Sequence, residues 1–197
     1  MSQATVHIRK EAFIIMVWSA IETSHKECLG FVLGSSPTAT RNFYFVTDAV
    51  PYQCMKRRSN TEVELSDKAS RRFNRWSVQL ETSSRLKYLG NFHSHPGWGG
   101  FLCEPGTMSE CDIEKFIQEG KDGLGLKFII DVTSRKRGCA LWEIVDDGSV
   151  KGSLGHYNIR VCAFGQFRNG GEGPSIMKLH IVVPEAIKTL NRMQSKK

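Results

Sequence analysis

Apolar and polar positions alternate along this chain in runs that predict strands and helices in close succession. Residues 5 to 9 read as a short edge strand, and residues 11 to 24 as a helix. In that helix Phe13, Val17, Ala20 and Ile21 share a face at i, i+4, i+7 and i+8, and Ile14 extends the stripe. Ile15, Met16 and Trp18 widen it, which predicts burial on more than one side. Glu27 then leads into an apolar strand closed at Gly34, and Arg41 to Val50 is its antiparallel partner, ending at Pro51. Residues 52 to 64 are polar and read as an exposed loop. Ser66 and Asp67 offer N-caps for a helix to about Glu81, and Leu86 to Phe92 is a strand. After a loop from Gly97 to Met108, rich in glycine, Ser109 to Gln118 is a short helix with Ile113, Phe116 and Ile117 on one face. Strands at Leu126 to Val132, Cys139 to Val145 and Tyr157 to Phe164 follow, then a connector, a strand at Met177 to Val183 and a helix opened by Pro184.

Helices mixed with strands, and consecutive strands late in the chain, predict an α/β (α+β) protein with a mixed central β-sheet flanked by helices. With 197 residues the chain is long enough for one sizeable core. We expect one domain over residues 1–164, with 165–197 as a C-terminal extension of connector, strand and helix docked on it. The N-terminus lacks the apolar stretch of a signal peptide and no window reaches the length of a membrane span, so a cytoplasmic protein without a membrane role is expected. The six cysteines show no close-spaced pairs, which favours free thiols in a reducing compartment. A net charge of +7 invites a nucleic-acid reading. The basic clusters Lys56-Arg57-Arg58, Arg71-Arg72, Arg135-Lys136-Arg137 and Lys196-Lys197 are short and come without a nucleic-acid motif. Solvated faces are the expectation, and nucleic acid is not an expected partner.

The candidate chemistry lies in Gly90 to Gly97 and in Ser109-Glu110-Cys111-Asp112. On a strand, residues two apart point to one side, so His93 and His95 aim at a common point, and imidazole is the commonest zinc ligand. A bare His-x-His is more often a pair of ordinary histidines. A hydrolytic zinc takes three protein ligands and keeps one position open, and Asp112, in the first turn of a helix capped by Ser109, is the candidate third. The competing reading is a plain capping box, in which Asp112 reaches back to Ser109 and faces away from any metal. Glu27 is the candidate to accept and deliver a proton, and Ser109 the candidate donor to a developing oxyanion. Taken singly, Glu27 is as readily a solvated acid before a strand.

Glu27, His93-Ser94-His95-Pro96 and Ser109-Glu110-Cys111-Asp112, in this order, resemble the motif of the JAB/MPN (JAMM) zinc metalloprotease family: a distant Glu, then His-x-His-Pro, then Ser-x-x-Asp. The resemblance covers roughly residues 5 to 145. It implies a cytidine-deaminase-like arrangement of mixed sheet and helices. It also implies one Zn2+ per chain bound by His93, His95 and Asp112, with Glu27 as general acid/base and Ser109 assisting. The implied activity is that of a deubiquitinase-like isopeptidase or peptidase, cleaving after the C-terminal tail of ubiquitin or a ubiquitin-like protein. Bacterial relatives of this kind, the group to which the resemblance points, also accompany E1- and E2-like conjugation proteins. Members that lack the ligands are scaffolds, so a non-catalytic MPN-type binding module is the alternative. A nucleobase deaminase is excluded, because His-x-Glu and Pro-Cys-x-x-Cys are missing. One departure is the length of the loop 97–108. It suggests a lid in which Trp98, Phe101 and Leu102 hold a substrate tail, or a loop that packs its own apolar groups. Cys103 or Cys111 as a fourth ligand would close the site.

Overall fold

A computed structural model describes residues 4–38, 40–52, 55–58, 63–84, 86–97, 104–119, 125–135, 139–168 and 174–195, with only the backbone of 55–58, 63–65, 84 and 168. In chain order the elements are β1 (Thr5–Ile8), α1 (Lys10–Glu22), β2 (Leu29–Ser35), β3 (Phe43–Tyr52), β4 (Met55–Arg58), β5 (Val63–Leu65), α2 (Asp67–Ser84), β6 (Lys87–Pro96), α3 (Glu110–Glu119), β7 (Leu126–Ser134), β8 (Glu143–Ile144), β9 (Val150–Leu154), β10 (Tyr157–Arg168), β11 (Pro174–Val182) and α4 (Pro184–Gln194). The class is mixed α/β, as expected, with helices against a mixed sheet.

Closure of that sheet is the feature the pattern of residues did not reveal. Seven strands run in the order β11, β1, β3, β2, β6, β7, β10, and β10 pairs with β11 to complete a barrel. The length of β10 makes this possible. Its first part, Tyr157 to Val161, pairs with β9, and its second, Ala163 to Arg168, with β11, while β7 lies along its other side. Closing the ring satisfies backbone groups that an open sheet would leave at its edges. β1 is therefore no edge strand: it pairs in parallel with both β11 and β3. The boundary drawn at 164/165 falls inside β10, so the last part of the chain forms a wall of the barrel.

One face of the strands builds the main core. Val6, Val32, Val46, Phe92, Phe128, Ile130, Val161, Leu179 and Ile181, all fully buried, pack with Ala12, Phe13, Met16, Val17 and Ala20 of α1 and Ala186 and Leu190 of α4. α1 is buried on one side only: Ile15 and Trp18, expected to widen its apolar stripe inward, are 37% and 55% exposed. The opposite face carries a smaller cluster of Met108, Phe116, Ile129, Cys162 and Phe164, in which Phe116 of α3 sits over β7 and β10. On the same face α2 stacks Phe73 on Phe31 of β2, with ring centroids 3.6 Å apart.

Three local expectations are corrected. Residues 52 to 64, read as an exposed loop, contain the β4–β5 antiparallel pair. The strand expected over Cys139 to Val145 shrinks to Glu143–Ile144. There Trp142 turns inward against Phe13, and its main-chain N–H and C=O bond to Asn191 of α4 rather than to a neighbouring strand. Strand β9, over a stretch assigned no element, pairs with β10 and β8.

Candidate metal centre

The site is built where β6 and β7 lie side by side in parallel. Their register sets Asn91 against Lys127, His93 against Ile129 and His95 against Asp131. Because side chains alternate, these six point to the face away from α1, and Phe92, Phe128 and Ile130 point into the main core. β2 approaches β6 from its other side with Leu29 opposite His93. The Ser94 N–H donates to the Cys28 carbonyl at 3.3 Å and the Cys28 N–H to Ser94 Oγ at 2.8 Å, extending that antiparallel register. Glu27 thereby lies abreast of His95, on the same face. α3 lies over the two histidines and delivers Asp112 from its first turn.

His93, His95 and Asp112 converge. His93 Nε2 and His95 Nε2 are 3.1 Å apart. Asp112 places Oδ1 3.1 Å from His93 Nε2 and Oδ2 3.2 Å from His95 Nε2. All three residues are buried, at 4%, 9% and 9% exposure. The capping box forms as well: the Asp112 N–H donates to Ser109 Oγ (3.1 Å), the Ser109 N–H donates to Asp112 Oδ2 (3.3 Å), and Ser109 Oγ–H donates to the same oxygen (2.6 Å). The two readings of Asp112 are thus compatible. A carboxylate offers about two lone-pair positions on each oxygen, so Oδ2 can close the box while Oδ1, beside His93 Nε2, keeps one to offer an ion.

The electrostatics suit a cation. Burial pushes the His93 imidazole down from 6.5 to about 4, against the pull of Asp112, so at neutral pH it is an uncharged lone-pair donor. Burial works to raise the Asp112 carboxyl, but the charge His93 takes on when protonated at acid pH, its hydrogen bond, the hydrogen bond of His95 and the charge of Lys127 outweigh it and hold the group well below the carboxylate range. Two imidazoles and an anion directed at one point are the donor set of a divalent metal. A tetrahedral zinc with bonds of about 2.0–2.2 Å separates its donors by roughly 3.3–3.6 Å. The two imidazole nitrogens, and each of them with the Asp112 oxygen nearest it, lie 3.1–3.2 Å apart, and one donor atom from each residue lies within 4.8 Å of the others, so the residues fit such an ion after a small adjustment.

Glu27 is 7% exposed, and burial raises its carboxyl from 4.5 to about 7, with the charges of His95, Asp112, Lys115 and Lys127 also acting on it. A carboxyl with that value exchanges protons readily at neutral pH. Cys111 is exposed and stands outside the donor group. Trp98, Phe101, Leu102 and Cys103 lie outside the described residues.

Two buried ionic residues at the site escaped the sequence reading. Lys127, 3% exposed, holds its Nζ 3.4 Å from Asp112 Oδ1 and 6.0 Å from the centre of the Phe116 ring. Asp131, 4% exposed, has Oδ1 3.7 Å from His95 Nδ1 and accepts the Gly106 N–H on Oδ2 at 2.7 Å. Both stood in view as charges four apart in the apolar run Leu126 to Val132, which places them on one face. The chain matches no protein-family model, and a search of curated proteins finds no match.

Proposed function

We propose that this chain is a zinc-dependent isopeptidase or peptidase of the JAB/MPN kind, acting after the C-terminal tail of ubiquitin or a ubiquitin-like protein. The observation that carries the reading is the convergence of His93, His95 and Asp112 in the presence of a buried Glu27 on the same face. A zinc ion held there would polarise the scissile carbonyl and bring the pKa of a bound water to about 7. Glu27, titrating near 7, takes the proton from the attacking water and returns it to the leaving amine. Ser109 stands at the same helix start. Its hydroxyl, given to Asp112 in the resting arrangement, turns to the oxyanion when that carboxylate oxygen is otherwise engaged. E1- or E2-like proteins are the expected company of such a substrate.

The test is metal analysis with a cleavage assay on ubiquitin-like proteins extended beyond their Gly-Gly tail. One zinc per chain, cleavage that stops with chelator, and a Glu27→Gln variant that keeps its zinc but loses about 10²–10⁴ in rate are the expected results. Full activity in Glu27→Gln would overturn the mechanism. A second reading, a non-catalytic binding module, is favoured by one contact: the Lys127 ammonium beside Asp112 can neutralise the site without an ion. Protein that takes up no zinc from a buffered excess supports it.

A further inference from the structure

We infer that Asp131 is the positioning residue that fixes His95 as a metal ligand, and that it ties this task to the loop entering α3. The inference rests on the reading of His95 as a ligand. Asp131 is 4% exposed, and its two oxygens are treated differently. Oδ2 accepts the Gly106 N–H, whereas Oδ1 is buried with no hydrogen-bond partner among the described residues. A buried carboxylate oxygen left without a donor bears the full cost of its lost hydration. One donor is placed to meet it: His95 Nδ1, 3.7 Å away, within half an ångström of hydrogen-bond reach. Arg160 lies opposite Asp131 in the β7–β10 register, but among the described residues His95 is the basic group within 4 Å of an Asp131 carboxylate oxygen, and Arg160 and Lys178 bond elsewhere. Arg160 gives its Nε–H to Ser149 Oγ and an Nη2–H to Asp147, and Lys178 bonds to Asp147 and to the Gly106 carbonyl.

The tautomer follows. Asp112 Oδ2, 3.2 Å from His95 Nε2, competes for the imidazole proton, but it already accepts the Ser109 N–H and Oγ–H, whereas Asp131 Oδ1 accepts none among the described residues. With its proton on Nδ1 facing Asp131, His95 presents a bare Nε2 lone pair to the point shared with His93 and Asp112. With the proton on Nε2 it could bind no ion there. The β6–β7 register, which sets His95 against Asp131, makes this pairing a property of the sheet rather than of a mobile side chain. Gly106 joins the loop to the same carboxylate. Its φ of +85° favours glycine, and an added Cβ would come within 2.9 Å of Arg160 Nε. The loop end that leads to Ser109 and Asp112 and the orientation of His95 are therefore set by the two oxygens of one residue.

Asp131→Asn separates these tasks. Its carbonyl oxygen can keep the Gly106 bond, and its NH₂ then faces Nδ1 and forces the proton onto Nε2. Zinc titration of the full chain against a competing chelator, with ¹⁵N NMR of the histidine side chains in metal-free protein, reads both. Expected are an Nδ1–H tautomer for His95 in the wild type, its conversion to Nε2–H in Asp131→Asn, and zinc affinity lowered 10–100-fold in Asp131→Asn and Asp131→Ala. A wild-type His95 protonated on Nε2, or Asp131→Asn binding zinc within twofold of wild type, overturns the inference. Should the wild type bind no zinc, the metal-site reading fails on its own. The tautomer measurement still decides the Asp131–His95 pairing, and it needs no variant to fold.

Discussion

The two faces of β7 are equally dry and chemically opposite. Leu126, Phe128, Ile130 and Val132 point to α1 at 0% exposure, while Lys127 and Asp131, at 3% and 4%, point to α3. The first face removes apolar area from water, at about 25 cal/mol per Å², and is what makes the barrel fold. The second face takes an ammonium and a carboxylate out of water beside two imidazoles and Asp112. Such groups recover their hydration cost only partly through one another, and apolar replacements of similar shape are often as stable or more so. A strand's two-residue period has thus separated stability from chemistry within a single stretch of backbone. The outward face is hard to explain as scaffold, and that is the physical case for a functional site.

The sharpest break of this contrast is expected at Phe128. Phe128→Ala opens a cavity in the main core and should cost about 3–5 kcal/mol in urea unfolding, while the zinc affinity of the molecules that remain folded stays as in wild type. The opposite face should answer with the opposite sign. Glu27 has its folded value at about 7 against 4.5 unfolded, so between these values the native state holds a proton that the unfolded chain has released. Stability of metal-free protein should accordingly be fullest below pH 4.5 as far as this group is concerned, and decline as pH rises through 7. Glu27→Gln removes the titration and should stabilise metal-free protein at pH 8 by roughly 3 kcal/mol, with little gain at pH 4. Urea titrations at the two pH values check it, and a variant no more stable than wild type at pH 8 contradicts the burial argument. Lys127→Met comes next. It strips a cation from beside Asp112, so zinc should bind on the order of tenfold more tightly, and unchanged affinity would mean that this charge is not felt at the metal.

Much of that outward face could be seen in the sequence, and what could not has one cause. Alternation along a strand gave His93 and His95 a common side, and the cap signal at Ser109 put Asp112 in the first turn of a helix. Those are local rules, obeyed here. Register is not local: nothing in residues 86 to 96 says that β7 will lie in parallel with His95 against Asp131, so neither Asp131 nor Lys127 could be assigned to the site. Barrel closure was hidden for the same reason, since it depends on β10 continuing past Phe164 to meet β11. The misreadings of Ile15 and Trp18 in α1, and of Cys139 to Val145, come from apolar side chains whose fate was decided by packing partners elsewhere in the chain.

The smallest expected effect lies where the outward face meets water. Asp147 is about one-third exposed and binds Arg160 Nη2 and Lys178 Nζ, each at 2.5 Å, and Ser149 Oγ at 2.6 Å. Partial burial works to raise its carboxyl, but the hydrogen bond from Lys178, those from Ser149 and the Lys178 charge outweigh it and hold the group well below the usual range. The native state is thus the poorer proton binder. Its contribution is present above the ordinary aspartate range near 4 and is lost as pH falls through and below it. Solvent screening keeps the contribution under about 1 kcal/mol, so Asp147→Asn should lower the melting temperature only slightly at pH 7, and the difference from wild type should shrink on acidification. Zinc binding makes this variant informative despite its small effect. Lys178 also holds the carbonyl of Gly106, whose N–H holds Asp131, and Arg160 lies opposite Asp131 in the β7–β10 register, so a disturbance at Asp147 can reach His95 through that loop residue or across the sheet. If the two faces differ as argued, stability and affinity part company: Asp147→Asn leaves zinc affinity within about twofold of wild type, because Gly106 remains bonded to Asp131. An affinity loss approaching the 10–100-fold expected of Asp131→Asn would instead mean that the outward face, from its exposed rim to the metal ligands, moves as one unit.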